Sequence, residues 1–337
     1  MTFLELEVII FRMKIYVTRE LPGALFEKLK REHTVLVNPS DLPPTKEELM
    51  EGVRGKEGLI SLLTDQITKE VISAGSSLKI IANYAVGYDN INVDYATYKG
   101  IMVTNTPDVL TNATTEITWT LILGVARKIV EADKYTREGK FKIWSPNLFV
   151  GKELYGSIFG IIGTGKIGTE VGRRGIGFGM HILYTDLKKN KILEELRAEK
   201  VPLKELLKKA DFVSIHTSLT EKTYRLIGKE ELHLMKKNAI LVNTSRGKVI
   251  DEFALIEVLK RGELAGAGFD VYEHEPKVPD ELKELPNVIL LPHIGSATRV
   301  ARENMARLAI QNLLIGLSDK VPPNLVNPEA LERRANL

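Results

Sequence analysis

The chain has 337 residues, 44% of them hydrophobic and 27% charged, which is enough apolar side chain for two packed cores and excludes a disordered chain. Its 47 Lys and Arg against 44 Asp and Glu leave a formal charge of +3, too small and too dispersed to specify nucleic acid as a partner. Cysteine is absent, which excludes disulfides, Cys-ligated zinc, iron–sulfur clusters and thiol nucleophiles, and fits a cytoplasmic setting.

Residues 1–12 are apolar but carry Glu5 and Glu7, lack a basic start and offer no small-residue cleavage site. They are therefore read as an extension ahead of the fold rather than a signal peptide. From Met13 onward, short β-branched runs at 14–18, 34–37, 59–63, 79–83 and 101–104 predict strands. The amphipathic stretches 22–31, 45–53 and 68–74 predict helices between them. A long helix is expected over 113–138, because Leu121, Ile122, Val125, Ala126 and Ile129 recur at helical spacing, with Asn112 as its N-cap. An irregular connector follows over 139–155, with Trp144, Pro146 and Gly151.

The alternation then restarts, with strands expected at 157–162, 182–185, 212–216, 239–243, 268–271 and 288–291, a last helix at 299–317 and a polar tail wrapping the surface. This rhythm predicts an α/β protein of two doubly wound parallel-sheet domains facing each other across a cleft. No apolar run approaches the ~20 residues of a membrane-spanning helix. Only two glutamines, Gln66 and Gln311, and abundant Glu and Lys point to a heat-adapted source.

Residues 159–168 run from an apolar strand into Gly163-Thr164-Gly165-Lys166-Ile167-Gly168 and then a helical pattern. Gly163 allows the tight turn, Gly165 a close approach to pyrophosphate and Gly168 close helix–strand packing, while the helix N-terminus supplies amide donors. The strand that follows ends at Asp186, close to the spacing of an acid that binds an adenosine ribose diol. Asp186 repels a 2′-phosphate and favours NAD. Lys188 and Lys189 beside it leave NADP possible.

Ligands of a doubly wound sheet lie beyond the C-terminal ends of its strands. That rule selects Arg246, Asp270, Glu275 and His293, and places Thr217, Thr244, Ser245 and Gly295 beside the same nucleotide. Among the six histidines, His33 and His181 precede strands and His233 lies in a helical segment. His216 borders the cofactor, and His274 is a loop residue between two acids. His293, between a proline and a glycine at a strand end, is the candidate proton donor. The three groups fit reduction of a 2-keto acid: Arg246 for the carboxylate and carbonyl, His293 as general acid, and Glu275 to orient the imidazole and stabilise its protonated form. In the first half, the Val86 and Gly87 amides after the strand at 79–83 can form a small anion nest for the substrate. No metal site is read from the sequence.

Beyond residue 13 the chain resembles the D-isomer-specific 2-hydroxyacid dehydrogenase family. The resemblance rests, in order, on the glycine fingerprint, Asn243-Thr244-Ser245-Arg246-Gly247, the segment 269–276 and Pro292-His293-Ile294-Gly295-Ser296-Ala297-Thr298. It implies an Arg246–Glu275–His293 catalytic set and a homodimer. It also implies a discontinuous substrate-binding domain of residues 1–111 plus 299–337 around a Rossmann NAD-binding domain of residues 112–298. Segments 83–90, 106–114 and 153–156 resemble the glyoxylate/hydroxypyruvate reductases, in which the region matching Trp144 reaches a partner's active site. The expected reaction is NAD(P)H-dependent reduction of glyoxylate and hydroxypyruvate. Phosphoglycerate or phosphite dehydrogenase activity, or an NAD-sensing binding protein, are the alternatives. Two departures stand out. Asp186-Leu187 replaces the Ser-Arg of many such reductases, and Gly172 and Gly175 replace helix alanines at an expected cost of ~1 kcal/mol each.

Overall fold

The structure, a computed structural model, describes residues 12–335, so the reading of residues 1–12 as an extension lies, apart from Arg12, outside the described residues. The chain divides into two compact units, residues 1–110 with 298–337 and residues 111–297.

In the first unit the order is β1 (Lys14–Val17), α1 (Ala24–Glu32), β2 (Thr34–Val37), α2 (Lys46–Val53), β3 (Gly58–Leu62), α3 (Lys69–Ala74), β4 (Ile80–Tyr84), α4 (Val93–Tyr98) and β5 (Met102–Thr104). Its sheet is parallel, in the order β2-β1-β3-β4-β5, the flavodoxin-like arrangement. The inner strands β3 and β4 are buried almost throughout, which is why they read as continuous apolar runs rather than alternating ones. Polar signals fix the helix starts. Thr45 and Glu48 close a capping box on α2, and Asn92 accepts the Tyr95 amide at 3.0 Å to start α4.

The second unit runs α5 (Thr111–Ala126), α6 (Ile129–Arg137), β6 (Ile158–Ile162), α7 (Lys166–Gly177), β7 (His181–Thr185), α8 (Lys191–Glu195), β8 (Glu199–Lys200), α9 (Leu203–Lys209), β9 (Phe212–Ile215), α10 (Lys229–Leu234), β10 (Ile240–Asn243), α11 (Glu252–Lys260), β11 (Gly266–Phe269), α12 (Asp280–Lys283) and β12 (Val288–Leu290). Its parallel sheet is ordered β12-β11-β10-β9-β6-β7-β8. The direction of winding reverses between β6 and β9, the switch point at which such sheets bind nucleotides. Trp119 of α5 is buried in this core, with Nε1 donating to the Val171 carbonyl at 3.2 Å and its ring edge-on to Phe159 at 5.3 Å.

The chain returns to the first unit through α13 (Arg299–Leu317) and α14 (Glu329–Ala335). α13 lies so close to the sheet that a Cβ on Gly316 would come within 2.5 Å of Ile80 Cδ1.

Three expectations need correction. The single helix over 113–138 is two helices. α5 stops because the Ala126 carbonyl accepts the Lys152 amide at 2.8 Å and Gly151 packs on it, and Lys128 turns left-handed at φ 53° before α6. α5 also begins at Thr111, so Asn112 lies inside its first turn, where Oδ1 accepts Arg174 Nη2 at 3.0 Å instead of capping the helix. The tail is likewise more than a polar wrap. Leu325 bridges Thr104 in antiparallel fashion, and α14 is a regular helix.

Candidate active site

The glycine turn after β6 is built by close approaches. Gly163 has φ 88° and donates its amide to the Thr185 carbonyl at 2.9 Å. A Cβ there would lie 2.7 Å from the Thr217 amide nitrogen, and one on Gly168 only 2.1 Å from the Gly163 carbonyl oxygen. Both positions demand glycine. Gly165, the N-cap of α7, differs: a Cβ there would project into open space. Lys166 begins α7 on the surface, and Ile167 is partly buried against the core. An open, backbone-lined shelf at the start of a 12-residue helix fits a pyrophosphate.

Asp186, just past β7, accepts the Thr164 amide at 2.6 Å and the Thr164 hydroxyl at 3.1 Å on Oδ2. Burial pushes its carboxyl pKa up, but the Thr164, Lys188 and Leu187 amides more than offset this and hold it below the usual range. The acid is thus ionised and aimed at the glycine turn, the arrangement that suits a ribose diol and opposes a 2′-phosphate. Gly172 and Gly175 are also places of close packing. A Cβ would meet Ile161 Cδ1 at 2.9 Å and Ile182 Cδ1 at 2.9 Å respectively, so the expected penalty of glycine in this helix is offset by helix–sheet contact.

Across the switch point, His216 follows β9, and its Nε2 lies 2.7 Å from Ser214 Oγ. Burial lowers its pKa from 6.5 to about 3, so it stays neutral beneath the glycine turn.

After β10, Asn243 organises the next loop. Its side chain is fully buried. Oδ1 accepts the Ser245 amide at 3.0 Å and hydroxyl at 2.9 Å, and Nδ2 donates to the Arg246 carbonyl at 2.9 Å. Thr244 is pinned by its hydroxyl to Thr118 at 2.9 Å, and Arg246 Nη1 donates to the Ser245 carbonyl at 2.9 Å. Gly247 is indispensable here, since a Cβ would lie 1.9 Å from the Tyr272 carbonyl carbon and 2.4 Å from the Glu273 nitrogen.

That contact brings the loop after β11 against Arg246. β11 covers Gly266–Phe269 rather than 268–271, so Asp270 is the first residue beyond its end. Asp270 is buried, and its two carboxylate oxygens accept the Ile294 amide at 2.7 Å and the Gly295 amide at 2.6 Å. It therefore clamps the loop that carries His293, whose φ is 55°. His293 Nδ1 meets Glu275 Oε2 at 2.8 Å, and Glu275 Oε1 accepts the Tyr272 amide at 3.0 Å. Burial raises the Glu275 pKa, but the hydrogen bond and charge of His293, the Tyr272 amide and the charge of Arg246 outweigh it and hold the carboxyl below its ordinary value. Glu275, His293 and Arg246 are thus one electrostatic group, a carboxylate–imidazole pair beside a guanidinium. Asn243, which fixes the Arg246 backbone, stood in the sequence only as the first residue of the Asn243–Gly247 motif, with no role of its own.

In the first unit, Asn83 Nδ2 donates to the Gly87 carbonyl at 2.9 Å and Asn105 Nδ2 to the Val86 carbonyl at 2.8 Å. Both carbonyls are held back in this way, and among the described residues neither the Val86 nor the Gly87 amide donates to another backbone group. Trp144, in the connector, is 74% exposed. No helix among the described residues is long and apolar enough to cross a membrane.

Comparison with known proteins identifies the family. Residues 119–295 match the profile of the D-isomer specific 2-hydroxyacid dehydrogenase NAD binding domain. A glyoxylate reductase of Thermococcus gammatolerans is 50% identical over 95% of this chain and 97% of its own length. One of Korarchaeum cryptofilum is 48% identical over 95% and 98%. A crystal structure of a Thermus thermophilus protein superposes with a TM-score of 0.88 at 45% identity, covering 93% of this chain and 100% of that one. The chain belongs to the D-isomer-specific 2-hydroxyacid dehydrogenase family, with an NAD-binding Rossmann domain and thermophilic relatives.

Proposed function

We propose that this member of the D-isomer-specific 2-hydroxyacid dehydrogenases is a cytoplasmic, homodimeric glyoxylate reductase that also accepts hydroxypyruvate and prefers NADH to NADPH. The observation that carries this reading is the 2.8 Å contact between His293 Nδ1 and Glu275 Oε2 beside Arg246. Similarity to glyoxylate reductases at 50% and 48% identity supports the choice of keto acid.

When bound, reduced nicotinamide supplies a hydride to the carbonyl carbon. The rest falls to the chain. Gly163–Gly168 and the α7 N-terminus are assigned to the pyrophosphate and Asp186 to the ribose diol, with Thr217, Thr244, Ser245, Asp270 and Gly295 along the nicotinamide side. Residues 1–111 with 299–337 are assigned to substrate binding and 112–298 to the cofactor. The Val86 and Gly87 amides are assigned to substrate binding, and Arg246 to the substrate carboxylate, where charge-assisted bonds orient the carbonyl. As its oxygen gains charge, the imidazolium of His293 delivers a proton from Nε2. Nδ1 stays bonded to Glu275, which fixes the ring and balances its charge. The products are the 2-hydroxy acid and the oxidised cofactor, and the reverse direction uses His293 as base. Trp144 is assigned to the substrate pocket of a partner subunit.

The test is cofactor oxidation followed optically with glyoxylate, hydroxypyruvate and pyruvate, using NADH and then NADPH. Turnover of glyoxylate with NADH, lowered by at least ~100-fold in His293→Ala, is the expected result. Full turnover in His293→Ala overturns the proton-donor assignment, and no turnover of any keto acid overturns the activity.

A further inference from the structure

Glu252, the first residue of α11, reaches back to the loop that carries Glu275. Its Oε1 accepts the Glu273 amide at 3.3 Å, while Glu275 Oε1 accepts the preceding amide, Tyr272, at 3.0 Å. Two carboxylates therefore hold consecutive amides, those of Tyr272 and Glu273, the second of which belongs to the Tyr272–Glu273 peptide. That peptide cannot shift, because Gly247 packs directly against it.

We infer that Glu252 is a positioning residue for the reaction: its charge, acting through Glu275, holds His293 in the protonated form that reduction needs. The inference rests on His293 being the proton donor. Most other charges around Glu252 are already engaged. Glu273 pairs with Arg225 at 2.9 Å, and Asp251 with the same arginine at 3.5 Å. Asp270 is taken up by the Ile294 and Gly295 amides. The Tyr272 hydroxyl donates to the Leu291 carbonyl at 2.8 Å. Arg246 and His293 face Glu275, and His274 is the remaining ionisable neighbour of Glu252. Consistent with crowding by like charge, burial first and then Glu273 and Glu275 raise the Glu252 pKa above the usual carboxylate range, against the lowering effect of the Glu273 amide and His274.

A negative charge near an imidazole favours its protonated form, so removing it lowers the pH at which the proton leaves. Glu252→Gln keeps an oxygen acceptor for the Glu273 amide and removes only the charge. The expected result is an alkaline limb of kcat/KM for glyoxylate reduction displaced to lower pH by on the order of half a unit, with the low-pH plateau within about twofold of wild type. The His293 imidazole, followed by NMR in the cofactor-free protein and assigned with His293→Ala, moves by the same amount and sign. Glu252→Asp, which keeps the charge but withdraws it, gives a smaller displacement. It also serves as the test if Glu252→Gln folds poorly. An unmoved limb and an unmoved His293 titration in a folded variant overturn the inference. Retained turnover in His293→Ala strikes instead at the proton-donor reading on which it rests.

Discussion

His216 shows how a single buried side chain can set the pH response of the second unit. Unfolded, its imidazole takes a proton near 6.5; folded beneath the glycine turn, it does so only near about 3. Between those values the unfolded chain binds more protons, so this contribution to stability is complete above 6.5 and is lost as pH falls towards 3. Denaturant titrations at pH 7 and pH 4.5 are expected to show a wild-type midpoint that drops on acidification, and a His216→Gln variant in which the drop is smaller. An equal drop in both proteins would assign acid lability to other groups. The same residue illustrates what sequence offers at this scale. Position beyond a strand end marks it as a neighbour of the nucleotide loop, but its bond to Ser214 depends on packing that no local pattern encodes. Glu252 and the role of Asn243 escaped notice for the same reason, since a lone polar residue has no period.

Elements were legible where hydrophobic periodicity is local. The parallel strands and the turn from β6 into α7 announce themselves through apolar runs and glycine spacing. Where another segment decides the ending, periodicity misleads. The apolar stripe continues past Ala126, yet the Lys152 amide takes that residue's carbonyl and the helix breaks. The tail gives a second case, and a test. Asn327 is 2% exposed; its Oδ1 accepts the Val103 amide at 2.7 Å, and its Nδ2 donates to the Ile101 carbonyl at 3.0 Å and Thr97 Oγ1 at 2.9 Å. One side chain thus does for the β5 edge what a neighbouring strand would do. Asn327→Leu strands two buried backbone groups and is expected to cost about 3 kcal/mol, read as a lower denaturation midpoint with an unchanged m-value. A loss under ~0.5 kcal/mol would mean that water reaches this edge.

At the scale of the whole molecule, the surface of the second unit is unevenly apolar. Ile129, Val130, Phe141, Ile143, Trp144 and Val150 are each at least half exposed, from 52% for Val130 to 77% for Ile143, and all fall within one stretch from α6 through the connector. Scattered apolar residues on a surface need no explanation, whereas a concentration in one segment suits an interface. The proposed homodimer supplies the cover, and sedimentation equilibrium is expected to give twice the chain mass at micromolar concentration. Ile143→Glu, which buries a charge in that interface, should yield monomer. If Trp144 completes the partner's pocket, the monomeric variant also raises KM for glyoxylate while NADH binding, which is assigned to the second unit, stays the same. Trp144→Ala should then raise KM without dissociating the dimer. A wild-type monomer would remove the dimer from the proposal. A dimer in which Trp144→Ala leaves KM untouched would keep the interface and withdraw the tryptophan from the pocket.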